Sequence, residues 1–295
     1  MNYEIKSAVT DNRKHSYSFV VTSYLILFLS ACSPALILEY QPELVENVLE
    51  TRVRHRLKQV RKQPQNRVLL QKACTDLVKF GYGFQMEKAD RLILQDYTKG
   101  RVIYKEAQEI FKQAIDYGEQ ALMLKYPQYR NWLSDTSIVL KFSQVDVPLL
   151  YWTAAAYAGT ISASRGDLEW VILLPRVGLL LSEAMKLDPG WNKGSLYSAM
   201  ITYTVSQPNP PQNAEKIARD YFHQAIQASK GQDAGSYVAL AESVAKKNQN
   251  KDEFRNLLTT ALAIDINADS ELRLNNVIAQ KRAQWLLDNI DEFFY

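Results

Sequence analysis

Two cysteines are the strongest nucleophiles in the 295-residue chain, and their settings differ. Cys32 closes the run Leu29-Ser30-Ala31-Cys32 and follows an uncharged apolar stretch, Phe19 to Leu29, which is itself preceded by Arg13 and Lys14. That order of basic region, short apolar region and small residues is an export signal, and the apolar part is too short for a spanning helix. A cysteine directly after the small residues offers its thiol for acylation, the pattern of a bacterial lipobox. Residues 1–31 are therefore expected to be removed, leaving Cys32 as the lipidated first residue. Membrane lipid, held through acylated Cys32, is the first expected partner. One acyl chain anchors only marginally, whereas several hold a protein stably at a surface. Ser33 in place of an aspartate favours the outer over the inner membrane, with the body facing the periplasm. Cys74 lies in an apolar run, Val68 to Phe84, and reads as a small core residue without a disulfide partner.

Little else points to catalysis. Beyond the export segment the histidines are His55 and His223, far apart in the chain and without a second histidine at metal-ligand spacing. No nucleophile elbow, phosphate loop or dinucleotide fingerprint occurs. Of 35 basic and 32 acidic side chains, the export segment holds Lys6, Arg13 and Lys14 against Glu4 and Asp11, leaving 32 and 30. A balance so close to neutral gives no case for nucleic acid. The reading is a binding protein without enzymatic activity, cofactor or metal. One basic stretch, Arg52 to Lys62, reads first as a solvated helix face, with anionic lipid headgroups as the alternative.

Candidate binding residues fall in two places. Tyr151 and Trp152 open a segment rich in alanine, where small side chains leave room beside aromatic rings; core packing between helices is the competing reading. Arg273, Asn275, Asn276, Gln280 and Arg282 interrupt an apolar surface formed by Leu272, Leu274, Val277, Ile278 and Trp285. Buried polar groups must be hydrogen-bonded, so these residues either tie the final helix to its neighbour or line a ligand passage. Arg273 and Arg282 are the candidates for a carboxylate ligand, because a guanidinium can meet it at two points.

The elements that position these residues are helical. Ala214, Ile217, Ala218, Tyr221, Phe222, Ala225 and Ile226 recur on one face of a 3.6-residue period, and Phe254, Leu257, Leu258, Ala261 and Leu262 do the same. Asn250 stands where it can accept from the first turn of the latter helix. Strand alternation is weak throughout. Helix endings built on Ala184, Ala225 and Ala261 are spaced by 41 and 36 residues, near the roughly 34-residue tetratricopeptide period. Helix pairs are expected at 64–95 with 98–126, 147–164 with 167–187, 191–206 with 212–229 and 235–247 with 251–264. A lead helix at 41–62 precedes them, a capping helix at 271–291 follows, and linkers fall at 127–146 and 208–211. The expected fold class is all-α, a solenoid of stacked TPR-like hairpins, in a domain spanning 64–295 after a lipidated segment at 32–63.

Several stretches together resemble a known family. Phe84 to Asp90, Asp146 to Ala156, the turn Ala184 to Pro189, Ser236 to Glu242 and Leu272 to Leu287 are similar, in content and order, to TatT. This is the lipoprotein T component of tripartite ATP-independent periplasmic (TRAP) transporters. The resemblance implies a TPR-like helical fold, a homotrimer and a periplasmic substrate-binding protein, the TRAP P component, as partner. It also implies help in presenting an apolar or carboxylate ligand. A TPR scaffold lipoprotein for cell-envelope assembly is the alternative, since repeat surfaces serve unrelated functions.

Overall fold

Many of the helices begin where a side-chain oxygen or a proline is available to start them. The computed structural model describes residues 42–135 and 137–295, with side chains from Glu46 onward; Cys32 and the export signal lie outside the described residues. Helix α1 (Pro42–Lys62) leads into α2 (Arg67–Phe80), whose first turn is fixed by Asn66 accepting from the Leu69 N–H at 3.2 Å. At Gly81–Met86 the helix widens into a π-type turn and resumes as α3 (Glu87–Ile93). The return helix α4 (Tyr97–Met123) starts at Asp96, which accepts from the Lys99 N–H at 3.0 Å.

After a short α5 (Tyr129–Ser134) come α6 (Val147–Ser164), the single turn α7 (Leu168–Val171) and α8 (Leu174–Leu187). Helices α9 (Trp191–Ser206) and α10 (Ala214–Ala228) form the next pair. Then α11 (Ala234–Leu240), extended by a second π-type turn at Ala241–Ala245, pairs with α12 (Lys251–Ala263). Helix α13 (Arg273–Asp288) is last. Among the described residues there is no strand, and no helix is long and apolar enough to cross a membrane. The fold is all-α.

Packing follows the small residues. Helix α4 lies between α2 and α6, and its Phe111 is fully buried. A Cβ added to Gly81 would sit 2.6 Å from the Phe111 ring, and one added to Gly159 would sit 2.5 Å from it. The two glycines thus open a slot that the ring fills. Ala184, Ala225 and Ala261, from the three similar helix endings, are all fully buried, as is Ala121 near the end of α4. Cys74 is buried and unpaired in this core, its thiol pushed up to about 12 by burial against a weaker opposing hydrogen bond with Thr153.

Three boundaries differ from the pattern in the sequence. The segment 127–146 contains α5, whose Tyr129 and Trp132 are buried; six residues are too few to show a period. The segment 167–187 breaks at Ile172 and Leu173, because Pro175 lacks an N–H and sits in the first turn of a new helix. At the start of α9, Asn192, Lys193 and Gly194 take left-handed φ values of 50°, 58° and 90°, so regular helix begins beyond them.

The hairpins pack on their sequence neighbours, and the last helix also returns to the first pair. Arg282 of α13 meets Asp90 of α3 at 2.7 Å, and Arg91 of α3 donates to the Lys281 carbonyl at 3.4 Å. Ile278 of α13 comes against Gly83, where an added Cβ would lie 3.4 Å from its Cδ1. The stack closes on itself.

Asp146 locks the first two hairpins together. Its buried carboxylate accepts from Lys125 at 2.8 Å, Tyr126 at 2.6 Å and the Ser143 N–H and hydroxyl at 3.0 and 2.7 Å, and it pairs with Arg67. Burial alone would raise its pKa, but the bonds from Lys125, Tyr126 and Ser143 outweigh that and hold it well below the carboxylate range. The stabilisation is complete above the unfolded value of about 3.9 and is lost as pH falls through the lower folded value. Asp146→Ala should cost about 2–4 kcal/mol at neutral pH, since it leaves two cations without their shared anion. Thermal melts should then show a smaller further loss below about pH 4 than in the parent; an equal acid sensitivity would contradict this role.

Candidate functional site

Residues from all four hairpins meet around Tyr82 and Tyr151. Tyr82, in the first π-type turn, is 38% exposed, yet desolvation drives its hydroxyl pKa far above the usual tyrosine value. The Tyr82 hydroxyl donates to the Ala155 carbonyl of α6 at 3.3 Å, and its ring lies 4.8 Å from that of Phe111. Its hydroxyl also feels that of Tyr151 on α6, which burial pushes up to about 12 with a further contribution from Asp233. Trp191, at the start of α9, sets its ring 4.9 Å from Tyr151. Asp233 caps α11 by accepting from the Gly235 N–H at 3.1 Å, and burial raises its carboxyl against the hydrogen bonds from Ser236 and Gly235. Tyr82, Tyr151, Trp191 and Asp233 belong to the first, second, third and fourth hairpins and converge around Tyr151.

The seam of the ring is ionic. The Arg282 guanidinium meets Glu242 through Nε at 3.2 Å and Nη2 at 2.8 Å, a bidentate pair, while Nη1 reaches Asp90 at 2.7 Å and Glu87 at 3.4 Å. Arg91 reaches Glu87 at 3.2 Å, Lys246 reaches Glu242 at 3.7 Å, and the Tyr104 hydroxyl donates to Asp90. The two glutamates titrate in opposite directions. Burial raises Glu87 despite Arg282 and Arg91. Burial also pushes Glu242 upward, but the charge and hydrogen bonds of Arg282, with help from Lys246, bring it below its usual value.

The residues expected from the sequence separate into distinct settings. Tyr151 faces the interior, and its neighbour Trp152 turns toward Lys79, whose ammonium lies 5.2 Å from the ring centroid. Asn276 is buried, accepting from the Ala234 N–H at 2.9 Å and donating to the Gln232 carbonyl at 2.7 Å. Gln280 caps the end of α12 by donating to the carbonyls of Ala261, Leu262 and Ile264 at 3.0, 3.2 and 2.7 Å. Both tie α13 to the fourth hairpin. Asn275 is exposed. Arg282 is engaged by the protein's own carboxylates. Arg273 is half-buried, and its Nε has no hydrogen-bond partner; the buried Oε1 atoms of Gln85 and Gln232 share that condition.

Sequence reasoning missed Tyr82, Trp191, Asp233, Glu242 and the Glu87 and Asp90 carboxylates. The one available signal was Gly81-Tyr82-Gly83, an aromatic residue between two glycines inside a helical run. Glycine there lowers helix propensity and allows close approach, which marks a site where packing overrides propensity.

Comparison with known proteins agrees with this architecture in extent. A family model described as the TRAP transporter T-component matches residues 39–294. An uncharacterised protein of Treponema pallidum (strain Nichols) is 20% identical over 223 residues, covering 74% of this chain and 69% of that one.

The seam predicts opposite outcomes for two similar substitutions. Glu242, lowered in the fold, stabilises above its unfolded pKa of about 4.3 and loses that contribution as pH falls through the folded value, so Glu242→Gln should cost about 1–3 kcal/mol at pH 7. Glu87, raised in the fold, is destabilising when ionised, so Glu87→Gln should be neutral or slightly stabilising in the same melts. Equal losses from both would refute this division of charge.

Proposed function

Since the chain belongs to the TRAP transporter T-component family, we propose that its accessory role in TRAP transport is to hold a solute in the ring interior and to bind the substrate-binding P component. Cys32 carries the acyl chains that keep the body on the periplasmic face of the outer membrane. No catalytic step is required of it.

The observation that carries the ligand part of this reading is the aromatic cluster of Tyr82, Tyr151 and Trp191, in which burial raises both tyrosine hydroxyls. Small-molecule sites combine such apolar linings with a few fixed polar groups. Buried atoms without a protein partner stand on the same π-type turn as Tyr82, at Gln85, and next to Asp233, at Gln232; Arg273, at the start of α13, has one as well. Buried polar atoms are satisfied by protein, solvent or ligand. Arg273 suits a ligand carboxylate better than Arg282, whose guanidinium already has Glu242 and Asp90.

Native mass spectrometry of gently purified protein should therefore show a retained small molecule, and Tyr151→Ala should weaken its retention about tenfold, the loss of roughly one aromatic contact. Protein that is empty under every gentle condition would overturn the ligand role. With the mature Cys32→Ser chain as bait, periplasmic extract should yield a TRAP substrate-binding protein. Repeated capture of envelope-assembly proteins in its place would overturn the partner and favour the scaffold alternative.

A further inference from the structure

The basic lead helix has a use that neither the interior nor the seam supplies. Helix α1 turns Val53 and Val60 into the protein, and Arg52 and Arg56 reach Asp76 of α2 at 3.3 and 3.2 Å. At 100° per residue the opposite face carries Asn47, Val48, Thr51, Arg54, His55, Lys58 and Lys62, with Arg61 at its edge. All eight are exposed. The carboxylate at the margin of this face is Glu50, and it is taken up by Arg54 at 2.8 Å. Lys58, Arg61 and Lys62 make no ion pair among the described residues. Tyr117 of α4 is the group that Arg61 faces across the packing.

Many surface cations on other helices are matched locally, although Arg101 and Lys105 of α4 make no ion pair among the described residues. Lys112 pairs with Glu109, Lys186 with Glu183, Lys216 with Asp220 and Arg219 with Glu215, each within one turn. A favourable helix dipole accounts for cations in a last turn, which covers Arg61 and Lys62. It does not account for Arg54, His55 and Lys58 on the same face.

We propose that this face of α1 docks on the anionic headgroups of the membrane that tethers the chain. The proposal rests on the reading of Cys32 as the lipid anchor. Nine residues lie between Cys32 and Pro42, a reach of at most about 35 Å to the start of α1, and α1 itself adds about 30 Å to its cationic end. Tethering makes a weak attraction effectively intramolecular, and a few cations then suffice. The face carries no apolar stripe, so α1 rides on headgroups and does not insert.

The mature Cys32→Ser chain, which lacks acyl chains, tests the face independently of the anchor. In sedimentation with phosphatidylcholine vesicles containing roughly one-third phosphatidylglycerol, it should partition at least about tenfold more strongly than with pure phosphatidylcholine. The difference should vanish near ~0.5 M salt, where the screening length is only a few ångström. Combined Lys58→Gln, Arg61→Gln and Lys62→Gln should reduce binding to the neutral-vesicle level, with a melting temperature lowered only slightly by the lost helix-dipole contribution. A control carrying Arg101→Glu and Lys105→Glu on α4 should bind like the parent. Equal binding to both vesicles, persistence in the triple variant, or an equal loss in the control would each overturn the proposal. Failure of the anchor reading shows separately, as an N-terminal peptide from membrane-purified protein without acyl mass.

Discussion

A single guanidinium joins the last helix to the first hairpin. Arg282 lies on the last helix, Glu87 and Asp90 on the first hairpin and Glu242 on the fourth, at distances of 2.7 to 3.4 Å, with Nη1 ion-paired but making no hydrogen bond. One cation against three carboxylates is an unbalanced cluster. Arg91 and Lys246 relieve it from either side, and burial keeps Glu87 less acidic than an ordinary glutamate. Paired buried charges contribute little net stability, but removing one partner is expensive. The cluster therefore specifies where the ring closes more than it supplies the energy of folding. That energy comes from the small-residue contacts along the hairpins, such as Phe111 in the slot between Gly81 and Gly159.

Closure explains why the helices on either side of the seam depart from regular geometry. The π-type turn at Gly81–Met86 carries Tyr82 and immediately precedes Glu87, and the one at Ala241–Ala245 carries Glu242. A π-type turn inserts an extra residue and re-aims the side chains that follow. In the first case the turn places Tyr82 on the inner wall while Glu87 and Asp90 face the seam. In the second it brings Glu242 to Arg282 while Leu240 and Val244 remain packed against Ile201 of α9. The same distortion thus serves both the enclosure and its lining.

Much of the fold was legible because it depends on local pattern. Helix pairing, the Asn250 cap and the buried alanines at 184, 225 and 261 follow from the 3.6-residue period and from helix-start chemistry. The capping helix was legible as an element, and so was the need for Asn276 and Gln280 to find partners. What no periodicity reveals is that residues so distant in sequence meet across a closed ring. Arg282 seemed available for a ligand carboxylate only because Glu87, Asp90 and Glu242 lie on other helices. Tyr82 and Asp233 were invisible for the same reason: each occupies an unremarkable helical position until the stack curls. Cys32 is the reverse case, readable from its neighbours and lying outside the described residues.

Closure also sorts the charged groups by what they can do. Arg282 and Asp146 are committed to intramolecular partners at hydrogen-bonding distance, so their loss acts on stability and only indirectly on binding. Arg273 is half-buried with an unpartnered Nε, and a group in that condition contributes most when something external completes its hydrogen bonding. Lys58, Arg61 and Lys62 are solvated, carry almost no folding energy and act at a distance through their field. Three grades of burial thus assign three scales of action to chemically similar cations: holding the ring shut, meeting a molecule inside it, and meeting a surface outside it.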